Sequence, residues 1–163
     1  GPAAVPVTIL KWVCLVLLLV FLATRFSGSK VSTAAYEDVA AAVEEMADSS
    51  GMQKGDAQMI RRLYGLNPDD YLGMMLYYPS TNMNAEELLL VKLSEGKPDP
   101  EIEKQVVSAI EKRRQQQMDT FDGYAMEQYA MVEKALPDVQ GNYVLYAAGE
   151  DADDVQRAFR EAL

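Results

Sequence analysis

Carboxylates are the most abundant chemically able side chains in this sequence. Glu44-Glu45, Asp69-Asp70, Glu86-Glu87 and Asp151-Asp153-Asp154 place acids close enough to share a proton or hold a hard cation. Their settings point elsewhere, to outer helix faces, turns and the first turns of helices, and no D-x-[DN]-x-[DN]-G calcium loop occurs. Histidine is absent, so the usual general base and the commonest metal ligand are both missing. The single cysteine, Cys14, lies within an apolar run, which excludes an intramolecular disulfide, zinc, iron–sulfur and Cys–His chemistry. There is no G-x-S-x-G and no phosphate-binding glycine loop, and Ser108-Ala109-Ile110-Glu111 reads as plain helix. No catalytic residue, metal or cofactor is nominated.

Two features suit recognition better than catalysis. Tyr77, Tyr78, Ser80, Asn82 and Asn84 gather tyrosine and asparagine where a strand runs into a loop, the chemistry of polar-aromatic surfaces for glycan or protein. Core aromatics followed by an ordinary asparagine loop explain the same residues structurally. Arg113 continues an apolar helical stripe and could receive a carboxylate or phosphate in fork geometry. Equally, it could leave the core edge or pair with a carboxylate from the sheet. Tyr124, beyond the Asp122-Gly123 turn, joins the candidate interaction residues.

The elements that must position these residues are legible in order. Thr33 is a candidate cap for a helix over Ala34–Ala47, with Ala35, Val39, Val43 and Met46 on one stripe. Asp56 caps a short helix presenting Met59, Ile60, Leu63 and Tyr64, stopped by Gly65. Tyr71–Tyr78 is apolar on both faces, as a central strand is. Glu86–Leu93 could be helix by propensity, with Asn84 as cap, but it is short and stopped by Glu95-Gly96-Lys97-Pro98, which favours strand. Asp99-Pro100 opens a long helix with Ile102, Val106, Ala109 and Ile110 inward, followed on the stripe by Arg113 and Gln117. Tyr129–Leu136 and Tyr143–Ala148 read as a hairpin, although MEQYAMVEKAL is also helix-friendly, and Asp151–Leu163 closes the chain as a helix. The expected fold is α+β: a four-stranded antiparallel sheet with helices packed on it, in the order α-α-β-β-α-β-β-α.

Before this domain, Trp12–Thr24 runs thirteen residues without a charge, and extension back to Ala3 makes the apolar segment twenty-two residues long. About 20 apolar residues span a bilayer core as helix. Residues 3–26 therefore read as one transmembrane signal anchor. Lys11 and Trp12 sit at its interface, and Leu15, Leu18, Leu19, Phe21 and Leu22 face lipid. Gly1-Pro2 resembles a protease-cleavage scar, 27–32 a linker, and 33–163 a soluble domain. Counting Lys11 against Arg25 and Lys30 favours a cytoplasmic C-terminal side, a count that a different native N-terminus would change. The chain carries −10, and those three are its only charges before residue 31, so residues 31–163 carry −13. Such a domain repels nucleic acid and anionic lipid.

With these segments laid out, the chain resembles a domain-of-unknown-function family of membrane-anchored and lipoprotein chains outside the cytoplasm of Gram-positive bacteria. The pieces are Leu63-Tyr64-Gly65-Leu66, Tyr78-Pro79-Ser80 with Asn82-Met83-Asn84-Ala85-Glu86-Glu87, Lys112-Arg113-Arg114-Gln115 with Phe121 and Tyr124, and Gly141-Asn142-Tyr143-Val144-Leu145. The resemblance implies an extracytoplasmic domain at the cell membrane and strands at Glu86–Leu93 and Tyr129–Leu136. It brings no catalytic residues, and as partners it suggests membrane-bound O-acyltransferases of the cell envelope. The anchor departs from the lipoprotein pattern, because Trp12-Val13 precede Cys14. Three functional expectations follow: an accessory subunit of a multi-span envelope protein, a tethered module for a glycan or cationic polymer, or an enzyme using serine or carboxylates alone.

Overall fold

A computed structural model describes residues 4–27 and 30–163, with the backbone alone for 4–6 and 20–27. The chain divides into two units, Gly1–Lys30 and Val31–Leu163. In the first, helix α1 runs Ala4–Ser27. Lys11, Trp12, Leu15, Leu18 and Leu19 are all exposed on it. Among the described residues no helix is long and apolar enough to cross a membrane, so the expected span is not shown. The side chains of Phe21 and Leu22, and the expected scar at Gly1-Pro2, lie outside the described residues.

The second unit is built on β3 (Glu87–Lys92), all six of whose residues are buried. β3 pairs antiparallel with β2 (Gly73–Pro79) on one side and β5 (Tyr143–Ala148) on the other. β1 (Met52–Gly55) and β4 (Asp138–Gln140) form the edges, giving the order β1-β2-β3-β5-β4. The fold is α+β as expected, with five strands rather than four. β1 has no sequence signal: Met-Gln-Lys-Gly is short and neither alternating nor β-branched, and only its pairing with β2 makes it a strand.

Alternation along the strands sends side chains to two helix-covered faces. Leu76, Leu89, Val91, Val144 and Tyr146 pack against α3 (Ala57–Tyr64) and α4 (Pro100–Phe121). Met75, Leu88, Leu90, Tyr143 and Leu145 pack against α2 (Tyr36–Met46) and α6 (Ala152–Ala162). The expected caps operate: Asp56 accepts from the Met59 amide, Asp99 from the Glu101 amide, and Gly65 ends α3 at φ 66°.

Three local expectations fail for tertiary reasons. Tyr129–Leu136 is not a strand: α5 (Met126–Lys134) occupies it, burying Val132 against Phe121 and Ala85. The hairpin arm is instead β4, joined to β5 through Gly141-Asn142. Gly141 has φ 59° and Asn142 has no positive φ, the type II′ arrangement. Thr33 is not a cap, because Ala35 stands at the start of α2 without a side-chain hydrogen bond. Met46 leaves the expected stripe and is 47% exposed, while Val39 and Val43 are fully buried.

Candidate functional site

Three buried charges sit in the domain, and each is answered from within the fold. Glu87, 2% exposed, projects toward α4, where Arg113 holds it through Nε (3.0 Å to Oε2) and Nη2 (2.7 Å to Oε1). The Tyr64 hydroxyl donates to the same carboxylate. Burial and then the Glu87 charge push the Tyr64 hydroxyl well above its ordinary range. Burial pulls Arg113 down, but its hydrogen bonds and charge pairing with Glu87 more than reverse this. Arg113 thus commits its Nε–Nη2 edge to a sheet carboxylate.

At the opposite end of β3, and on its opposite face, Lys92 donates to the Ala34 carbonyl (3.1 Å) and the Glu95 carboxylate (3.2 Å). Its ammonium lies 5.5 Å from the Tyr143 ring centroid, a cation–π contact. Beside it Asn142, fully buried, accepts from the Ser32 amide (2.8 Å) and donates to the carbonyls of Ser32 (3.1 Å) and Ser94 (2.7 Å). The segment entering the domain is thereby fastened to the β4–β5 turn.

The third buried charge, Asp138, starts β4. Arg160 grips it through Nε (2.8 Å) and Nη2 (3.0 Å), with Gln140 (2.8 Å) and Gln156 (3.0 Å) filling in. Burial alone would raise this carboxyl, but these hydrogen bonds hold it below the usual carboxylate range. Asp138 forms part of the floor of a cavity of about 600 Å³ between α5 and the start of α6, at the β4 edge of the sheet. Met131, Leu136 and Ala147 give the cavity apolar surface, and its solvated charges are Glu127 and Lys134 on α5 and Glu150 and Asp153 at the start of α6. The α5 wall is fixed at both ends. Gln128 accepts from the Ala85 amide (2.8 Å), and Arg114 donates to the Val132 (3.2 Å) and Glu133 (2.6 Å) carbonyls. This volume is within the roughly 300–1,000 Å³ typical of ligand sites.

The polar-aromatic cluster read from sequence is divided by the sheet. Tyr77 faces the α2 side, near Glu44 and 5.8 Å from the Lys54 ammonium, whereas Tyr78 faces the other side and donates to Gln53 (3.1 Å). Asn84 is committed to structure, donating to the Gly51 carbonyl (2.9 Å) and accepting from the Glu86 amide (3.0 Å). Ser80 and Asn82 are exposed in the same loop. Tyr124, 64% exposed, does reach that loop, its hydroxyl 3.2 Å from the Met83 sulfur.

Among the described residues no three acids or thiols converge as a metal site. Sequence reasoning missed the cavity, Asp138, Lys92 and Asn142. A lysine inside an apolar strand was the available signal for Lys92. The cavity had none, because its wall is the helix read as a strand.

Fold and site together define the class: an α+β domain with helices on both faces of a five-stranded antiparallel sheet and an acidic cavity at one sheet edge. Residues 45–149 match DUF4358, a domain of unknown function, and the chain belongs to that family. No curated protein and no solved structure matches it. Helix α6 and most of α2, which together cover one face of the sheet, lie outside the matched stretch.

Proposed function

We propose that this chain is a non-catalytic accessory subunit, tethered to the cell membrane of a Gram-positive bacterium by residues 3–26, with its domain outside the cytoplasm. Its partner is a multi-span envelope protein, with a membrane-bound O-acyltransferase the leading candidate. The anchor rests on the twenty-two-residue apolar run in the sequence. One observation carries the rest: Glu87, Lys92 and Asp138, the buried charges, are all neutralised by the fold's own side chains. What remains open to a partner is a surface of net charge −13 that also exposes Leu72, Tyr124, Met126 and Leu136.

The acidic cavity favours a second reading, a tethered module for a cationic polymer. A glycan platform across Tyr77 and Tyr78 is less supported, since the two rings occupy opposite faces. The test is a mild-detergent pull-down of the full chain, with and without residues 1–30 replaced by an unrelated span. A specific multi-span partner lost on replacement supports the accessory reading. A clean monomer in both cases overturns it and leaves polymer binding.

A further inference from the structure

The two edges of the sheet are finished differently. β1 is four residues long and carries Lys54, a charge that discourages a further strand. At the other edge β4 pairs only with Tyr143, Val144 and Leu145, whereas β3 pairs with all six residues of β5. Beyond β4, Ala147 therefore turns its backbone N–H and C=O to the open edge, while Tyr146 and Ala148 turn theirs to β3 opposite Leu89 and Glu87. The chain ahead of β4 leaves that line through Pro137 and Leu136 toward α5, and the cavity occupies the space so opened, meeting β5 at Leu145 and Ala147.

We infer that this cavity takes an extended basic segment of a partner protein, added as a short strand that pairs with β5 at Ala147. An unpaired strand edge offers backbone groups to an incoming chain, and flanking pockets then choose its side chains. Here the pockets alternate in character. Met131, Leu136 (61% exposed) and Ala147 accept apolar side chains, while Glu127, Glu150 and Asp153 at the rim outnumber Lys134 and select lysine or arginine. A second copy is a poor occupant, because it would bring another domain of charge −13 against the same rim. The inference deepens the accessory-subunit reading and rests on it for the source of the segment, a loop or terminus of the membrane partner.

The probe is a fluorescent, capped pentapeptide, Lys-Val-Lys-Thr-Lys, titrated by anisotropy against the full chain in detergent micelles. Its controls are the Glu-Val-Glu-Thr-Glu counterpart and a version N-methylated at alternate residues. The lysine peptide is expected to bind, to weaken about tenfold against Glu127→Lys/Glu150→Lys, and to slow amide exchange at Ala147. The N-methylated peptide leaves the protein untouched and is expected to lose binding. No binding by the lysine peptide, equal binding by either control, or protection confined to other residues would each overturn the inference. Repeating the pull-down with Glu127→Lys/Glu150→Lys separates the two readings. A partner captured equally by this variant defeats the cavity assignment alone, and peptide binding without any partner defeats the accessory role alone.

Discussion

Glu87 and Arg113 meet in a side-on fork, with Nη2 2.7 Å from Oε1 and Nε 3.0 Å from Oε2, and it joins the central strand to the longest helix of the domain. Both charges are withdrawn from water, so neither tolerates loss of the other. Arg113→Met is expected to cost about 3–5 kcal/mol by stranding the carboxylate. Glu87→Leu with Arg113→Met and Tyr64→Phe removes every member together and is expected to regain most of that loss. Urea unfolding followed by circular dichroism reads both. Equal destabilisation by the single and triple variants would mean that packing, not charge, dominates.

Asn142 is the fastening point of the entering segment. Asn142→Ala leaves the Ser32 amide and the Ser32 and Ser94 carbonyls without their partner. Each buried group left unmet costs about 1–3 kcal/mol, reduced wherever water enters. Faster tryptic cleavage after Lys30 is expected alongside lower stability. Unchanged cleavage would show that Lys92 and Tyr143, which both reach the Ala34 carbonyl, hold the segment alone.

Alkaline pH should open the α2 face. Burial first, then nearby carboxylates, push the hydroxyls of Tyr36 and Tyr143 to about 12. Their folded values exceed the unfolded value of 10.0, so the folded state keeps its protons longer. The stability they contribute is complete below pH 10 and declines as pH rises toward 12. Tyrosinate absorbance and unfolding free energy measured over that window should move together. Stability unchanged through it would rule out the coupling.

The matched stretch alone should not fold well. A fragment of residues 45–149 lacks α6 and most of α2 and would bare Met75, Leu88, Leu90, Tyr143 and Leu145. It is expected to aggregate or to bind a hydrophobic dye, whereas residues 31–163 should unfold cooperatively. A soluble, cooperative 45–149 fragment would contradict the packing described here.

How much was legible varies with the range of the interaction. The stripe of α4 was readable to Ile110, while a sheet carboxylate was one of several partners open to Arg113, and only the fold chose Glu87. Tyr77 and Tyr78 were visible as a pair, but strand alternation, which separates them, matters only once the segment is known to be a covered strand. The cavity was invisible, because MEQYAMVEKAL is compatible with strand and helix alike.

The sequence by itself determined the features that arise within a few residues. These are the caps at Asp56 and Asp99, the stop at Gly65, the two-sided apolar character of β2, and the absence of histidine chemistry. Each follows from backbone hydrogen bonding or side-chain type, with no distant partner needed. Only the tertiary structure decided that Met52–Gly55 is a strand, that Met126–Lys134 is a helix, and that Glu87, Lys92 and Asp138 are neutralised internally. Those outcomes depend on contacts between segments far apart in the chain, where packing against Phe121 or pairing with β2 outweighs weak local preference.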